Sequence, residues 1–197
     1  QELGDAKRLD ELIATPGEGK NSRAAIATGP ELLVHIAAGN IPNPTFMSLV
    51  LGLLTRSAQF VKCGSGAAFL PRLFAHSLYD ADHKLGACLE IAEWRGGSAA
   101  LEDQLFAAAD CVTATGSDET LAAIRAKLPV RTRLLAHGHR VSFGYVTGEA
   151  LFGHRAKKIV TAAADDVVAW NQLGCLSPHV IYVQRGGEFA PEHFAQL

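Results

Sequence analysis

The residues best suited to chemistry lie in Trp170-Asn171-Gln172-Leu173-Gly174-Cys175-Leu176-Ser177-Pro178. A helical run ends there in Gln-Leu-Gly, and a thiol follows just before the extended stretch His179-Val180-Ile181-Tyr182-Val183. A cysteine at such a junction is held where another molecule can reach it. The thiolate is the nucleophile, and partial exposure beside polar groups favours it. These surroundings favour a reactive thiol at Cys175, whereas Cys63, Cys88 and Cys111 read as small buried hydrophobes. The four cysteines form no C-x-x-C pair and have no zinc-site spacing, so reduced thiols in the cytoplasm are expected.

Other loops carry weaker signals. Gly64-Ser65-Gly66 follows an apolar strand and offers a serine to cap the next helix. Thr115-Gly116-Ser117 does the same, with Asp118-Glu119 in the first helical turn. Both geometries also point backbone N–H groups at an anion, so either loop is structural, phosphate-binding or both. The full G-x-G-x-x-G fingerprint is missing from the first strand–helix turn. Lys62 ends a strand that reads as buried, where a lysine is costly unless paired or snorkelling to solvent. By itself Asn40, in Gly39-Asn40-Ile41-Pro42, reads as a turn residue. His137 and His139 suit acid–base work or a structural role, and no third residue with metal-ligand spacing joins them.

The elements around these loops alternate. The spacing predicts a helix over 2–15, ended by Pro16, then strands over 32–37, 59–63, 87–92, 111–115 and 132–136. Helices over 45–54, 67–79, 99–109 and 117–128 separate those strands. Short apolar strands alternating with amphipathic helices imply a parallel sheet with helices on both faces, and ligands bind outside the carboxyl ends of its strands. The loops named above fall at those ends. Beyond Gly138 come an extended run over 140–146, one or two helices over 150–173, the cysteine junction, a strand and a last helix from Pro191.

Composition narrows the class. The chain has 197 residues, 48 % apolar and 19 % charged, with a net charge of −2. That suits a globular core and argues against nucleic acid or an anionic membrane surface as partner. The longest apolar stretch, 46–54, is too short to span a bilayer, so no membrane insertion is expected. Gln1-Glu2-Leu3-Gly4-Asp5 has no secretory pattern.

Taken together, the loops resemble the aldehyde dehydrogenase superfamily, and most closely its acyl-CoA reductase branch, the LuxC family. Gly39-Asn40-Ile41-Pro42 stands where the superfamily has Trp-Asn-aromatic-Pro. Phe60-Val61-Lys62-Cys63-Gly64-Ser65 is similar to its Val-Leu-Lys-Pro-Ser strand end, Thr115-Gly116-Ser117 to its Thr-Gly-Ser loop, and Asn171-Gln172-Leu173-Gly174-Cys175 to its nucleophile region. Each is weak alone; four in the right order and at fitting intervals are strong. The resemblance implies an aldehyde-dehydrogenase-like α/β fold: a Rossmann-type NAD(P)-binding domain over 1–147 and the start of a second α/β catalytic domain over 148–197. It also implies that the chain is part of a longer one that forms a homo-oligomer.

By that resemblance Cys175 attacks the substrate carbonyl, and the Asn40 amide and the Cys175 N–H stabilise the oxyanion. Ile41, Pro42, Lys62, Ser65, Gly116, Ser117 and Gly138 would bind the cofactor. Lys62 and Ser65 would lie at the adenosine ribose, and Gly116 and Ser117 on the pyrophosphate or nicotinamide side. A lysine there with no acid nearby leans towards NADPH over NADH. Hydrolytic relatives have Glu-Leu-Gly-Gly where this chain has Ala136-His137-Gly138-His139, so the water-activating glutamate is missing. Reduction of an acyl-CoA or other acyl thioester to an aldehyde is therefore favoured. Oxidation of an aldehyde, or a nucleotide-binding module without turnover, is the alternative. Asn171 and Gln172 are expected to shape the cysteine loop rather than react.

Overall fold

The computed structural model describes residues 6–15, 23–39 and 43–197. The chain divides into two compact units, Gln1–His137 and Gly138–Leu197.

The first unit opens with a 3-10 turn, Ala6–Leu9, and a small antiparallel pair of β1 (Ile13–Thr15) and β2 (Arg23–Ala25). The helix expected over 2–15 is thus replaced, in its described part, by one turn and a strand. The apolar spacing there spans too few turns to offset the cost of helix nucleation, and β-branched Ile13 and Thr15 suit a ladder better. Then follow β3 (Leu32–Ile36), α1 (Asn43–Leu54), β4 (Ala58–Cys63), α2 (Phe69–Ala81) and the short α3 (His83–Gly86). After them come β5 (Leu89–Glu93), α4 (Ala99–Ala108), β6 (Cys111–Thr115), α5 (Asp118–Lys127) and β7 (Arg133–His137). The five longer strands form one sheet in the order β5-β4-β3-β6-β7, every pair parallel.

That order follows from side-chain alternation along each strand. Val34, Val112 and Ala114 face Phe106, Leu121 and Ile124 of α4 and α5 on one side of the sheet. Val61, Cys63 and Leu89 face Leu49 of α1 and Ala68, just before α2, on the other. Helices thus pack on both faces, as a parallel sheet requires, while the α1 side of β7 leaves Leu135 exposed. Phe106 is only 2 % exposed, and burial of such a side chain contributes about 1.5–3 kcal/mol. The strand order reverses between β3 and β6, which makes their carboxyl ends the switch point where open α/β sheets take ligands.

The second unit contains β8 (Ser142–Val146), a 3-10 turn over Gly148–Leu151, α6 (Arg155–Val168), β9 (Pro178–Val183) and α7 (Pro191–Gln196). β8 and β9 pair in parallel, with α6 in the crossover between them. Leu151, Ala156 and Phe194 form the core, with Val146, Ile181 and Val183 packed on it. The boundary expected at 147/148 falls later than the division between the units. The run over 140–146, expected in the first domain, forms the strand that pairs with β9.

Cys63 and Cys111 are buried, as expected, and burial pushes both thiols up in pKa. Cys88 departs from the expectation: it is exposed. It sits in the turn between α3 and β5, outside both cores, with its thiol donating to the Lys84 carbonyl at 3.2 Å.

Candidate functional site

Two groups of predicted site residues emerge, one in each unit. In the first unit, Lys62, Ser65, Gly116 and Ser117 all come to the carboxyl end of the parallel sheet. Asn40, Ile41 and Pro42, which follow β3, lie outside the described residues.

Lys62 is the penultimate residue of β4 and only 8 % exposed. Its ammonium lies 6.0 Å from the centre of the Trp94 ring, and no carboxylate among the described residues is within ion-pair distance of it. A buried ammonium without an anion is unfavourable. Beside it the Trp94 Nε1–H is buried and has no hydrogen-bond partner among the described residues. An unfilled buried donor, and a buried cation that acts on the Glu102 carboxylate without forming an ion pair with it, fit an oxygen-rich anionic ligand such as a nucleotide ribose or its phosphate.

Ser65 is exposed in the turn between β4 and α2, and Gly66 there takes φ +79°, where a side chain would be strained. Glu93 ends β5, paired in register with Cys63, and its carboxylate accepts the Gly66 N–H at 2.7 Å. An acid therefore stands beside the loop, contrary to the expectation of none. Glu93 is far from Lys62 in sequence, and only the parallel pairing of β4 with β5 brings it there. Its one sequence signal is that it lies at the end of the strand that follows β4 in the chain.

Ser117 caps α5, with its hydroxyl accepting the Thr120 N–H at 3.3 Å and Asp118 and Glu119 in the first turn. The Gly116 N–H donates to the His137 carbonyl at 3.2 Å. The structural role of this loop is therefore realised: one N–H is already engaged, and two acids stand at the helix start.

In the second unit, Cys175 is exposed in a β-turn closed by the Ser177 N–H on the Gly174 carbonyl at 3.0 Å. Its carbonyl accepts the Ser142 hydroxyl of β8 at 2.6 Å. Among the described residues its own N–H has no acceptor. The helix expected to run up to the cysteine ends earlier, at Val168. It gives way to a turn in which Trp170, Asn171 and Gln172 take φ of 55°, 51° and 62°. The Gln172 side-chain amide donates back to the Val167 carbonyl, which makes Gln172 a loop-shaping residue. Gly138 opens this unit and is half-buried. His137 closes β7 in the first unit, and His139 is exposed in the second. Among the described residues no group of His, Cys, Asp and Glu could hold a metal ion.

Sequence reasoning missed a buried polar cluster on β3. His35, 2 % exposed, bridges Thr113 Oγ1 at 2.6 Å and Gln59 Oε1 at 2.8 Å. The Gln59 amide in turn donates to the Leu49 carbonyl at 3.1 Å. A cavity of about 610 Å³ adjoins His35, between α1 and the β6–β7 half of the sheet; of the candidates named from the sequence, His137 lines it, whereas Lys62, Ser65, Gly116, Ser117 and Cys175 do not.

The comparisons agree with this architecture. A family model described as acyl-CoA reductase (LuxC) matches residues 1–197. A long-chain acyl-protein thioester reductase of Photorhabdus laumondii is 25 % identical over 184 residues, covering 92 % of this chain and 36 % of the relative. The chain thus spans about a third of the length of that relative. Among solved structures, an NADP-dependent enzyme of E. coli matches with a TM-score of 0.74 at 17 % identity, over 97 % of this chain and 38 % of the other. Lactaldehyde dehydrogenase from Escherichia coli matches with a TM-score of 0.71 at 18 % identity, over 91 % and 37 %. These structural matches establish an aldehyde-dehydrogenase-like fold. With the family model spanning every residue, the chain belongs to the acyl-CoA reductase (LuxC) family.

Proposed function

We propose that this chain supplies the cofactor end and the nucleophile of an acyl-thioester reductase. The observation that carries the reading is Cys175: an exposed thiol in a tight turn, its own N–H without an acceptor among the described residues, in a chain matched throughout by an acyl-CoA reductase family. The relatives' name, long-chain acyl-protein thioester reductase, supports a long acyl thioester as substrate.

The Cys175 thiolate attacks the acyl carbonyl carbon, the carbon–sulfur bond to the carrier breaks, and the carrier thiol leaves with a proton. The Cys175 N–H and the Asn40 amide stabilise the oxyanion formed on the way. A reduced nicotinamide cofactor, if held at the sheet end, would supply the hydride that reduces the acyl group. Lys62, with Ser65, would hold its adenosine ribose, and Ile41, Pro42, Gly116, Ser117 and Gly138 would contribute the rest of the site. The thiohemiacetal left on Cys175 collapses by breaking its carbon–sulfur bond, which releases aldehyde and restores the thiolate. His137-Gly138-His139 offers no carboxylate to activate water, so hydrolysis to the acid is disfavoured. NADPH is the proposed cofactor, supported by the NADP-dependent structural neighbour and the unpaired Lys62, although Glu93 weakens the preference.

The full-length protein is proposed to be a cytoplasmic homo-oligomer. No helix of the described residues is long and apolar enough to cross a membrane, and all four cysteines are free.

Peptide mass spectrometry of the full-length protein after incubation with a long-chain acyl-CoA tests the reading. One acyl group on the Cys175 peptide, absent in Cys175→Ala and discharged as aldehyde by NADPH, is the expected result. An absence of adduct on the wild-type protein would overturn it.

A further inference from the structure

Exposure alone does not aim a thiol. Covalent attack requires the sulfur to be held close to a near-attack geometry, so the peptide that carries it must be immobilised. Around Cys175 three constraints converge. On the carboxyl side, the Ser177 N–H closes the turn on the Gly174 carbonyl, and the Ser177 hydroxyl, in a residue 5 % exposed, donates to the Ala169 carbonyl at 3.3 Å. On the amino side, Trp170, Asn171 and Gln172 are all left-handed. Among the described residues, four non-glycine residues have positive φ, and three of them are this run directly ahead of the cysteine turn. Consecutive left-handed residues without glycine are unfavourable and persist only where their surroundings impose them, commonly at functional sites.

The third constraint comes from another strand. Ser142, the first residue of β8, donates its hydroxyl to the Cys175 carbonyl at 2.6 Å. The β8–β9 register shifts between Ser142 and Phe143: Ser142 pairs with Pro178 and Phe143 with Val180. Such irregularities recur next to active sites, where they re-aim a side chain. Here the pairing resumes one residue out of step directly beside the hydrogen bond that fixes Cys175.

Resting on the reductase reading, we propose that Ser142 is a positioning residue for the Cys175 nucleophile and that the left-handed turn Trp170–Gln172 is its counterpart on the opposite side. Ser142 touches neither substrate nor reacting atom. It holds the Cys175 peptide so that the thiol and the unpaired N–H of the same residue meet one carbonyl group together.

The test is the time course of acyl-Cys175 formation from a long-chain acyl-CoA by the full-length protein, run beside alkylation of Cys175 by iodoacetamide and a thermal melt. Ser142→Ala is expected to lower the maximal acylation rate about tenfold. The half-saturating acyl-CoA concentration, the alkylation rate and the melting temperature should change less than about twofold or a few degrees. Ser142→Thr, which keeps the hydroxyl, should restore the rate. Asn171→Gly, which accepts a left-handed backbone, should acylate like wild type, and Asn171→Val should be slower with alkylation unchanged. Wild-type acylation rates in both Ser142→Ala and Asn171→Val overturn the proposal. A parallel fall in acylation and alkylation does so too, because it marks a purely structural role. Wild-type protein that forms no acyl-Cys175 overturns the reductase reading as well.

Discussion

Glu93 shows how one side chain changes the chemistry expected of a neighbour. Under the proposed function, Lys62 alone suits a cofactor carrying a 2′-phosphate, as a buried cation with no carboxylate at ion-pair distance among the described residues. With the Glu93 carboxylate on the Gly66 N–H, the same strand end also carries a negative charge and an acceptor suited to a free ribose hydroxyl. If the proposed cofactor site is right, the two charges act in opposite directions on cofactor choice. Removing the negative one should therefore favour the phosphate. Glu93→Gln retains an oxygen to accept the Gly66 N–H, so the loop is preserved. In the full-length protein the ratio of kcat/KM for NADPH over NADH is expected to rise by roughly three- to tenfold, in line with one screened charge interaction of about 1 kcal/mol. An unchanged ratio in steady-state assays would place Glu93 away from the 2′ position.

Among the elements, three strands and a helix are tied through His35. Its Nε2 faces the Gln59 carbonyl oxygen, so it donates there, and neutral Nδ1 accepts from the Thr113 hydroxyl. Protonation would place a second donor against Thr113 and a charge inside the sheet. Burial accordingly holds His35 below its ordinary value of 6.5. The sign is clear: a histidine depressed in the folded state binds more protons when unfolded, so its contribution is complete above about pH 6.5 and is lost as pH falls towards the folded value. Thermal melts should show a midpoint that drops between pH 7.5 and pH 5.5. His35→Gln, which hydrogen-bonds without titrating, should flatten that slope. An equal slope in the variant would exclude His35 as its origin. Apolar periodicity found β3 itself, from Leu32 to Ile36, but could not reveal this cluster, because Gln59 and Thr113 join His35 only when β4 and β6 flank β3.

At the scale of the whole molecule, the two units differ in how complete they are. The five-stranded sheet has helices packed on both faces and two apolar cores. The second unit rests on a two-stranded parallel sheet whose outer face leaves Phe143 at 65 %, Tyr145 at 61 % and Tyr182 at 55 % exposed. The Phe143 and Tyr182 rings meet edge to face at 5.7 Å, which shields little of that area. Parallel strands are normally buried on both faces, and two strands alone are marginal in water. Residues 138–197 expressed alone are therefore expected to show no cooperative thermal transition and to bind a hydrophobic dye, whereas residues 1–137 should melt cooperatively. Circular dichroism of the two fragments checks this, and a sharp melt from 138–197 would refute it.

Local rules were enough for much of this protein. Apolar strands, helix caps such as Ser117 and the glycine turns are encoded within a few residues, so the alternating α/β order and the loops at the strand ends were legible in the chain. Cys175 stood out for the same reason, since its exposure follows from a glycine-preceded junction. Tertiary structure decided what depends on pairing between distant strands: Glu93 beside the Ser65 loop, His35 between Gln59 and Thr113, Ser142 on the Cys175 carbonyl, and β8 in the second unit. It also decided the local conformations that sequence rules disfavour, above all the left-handed run ahead of Cys175. Residues such as Trp170 and Asn171 adopt it only because contacts formed elsewhere in the fold outweigh their own backbone preference.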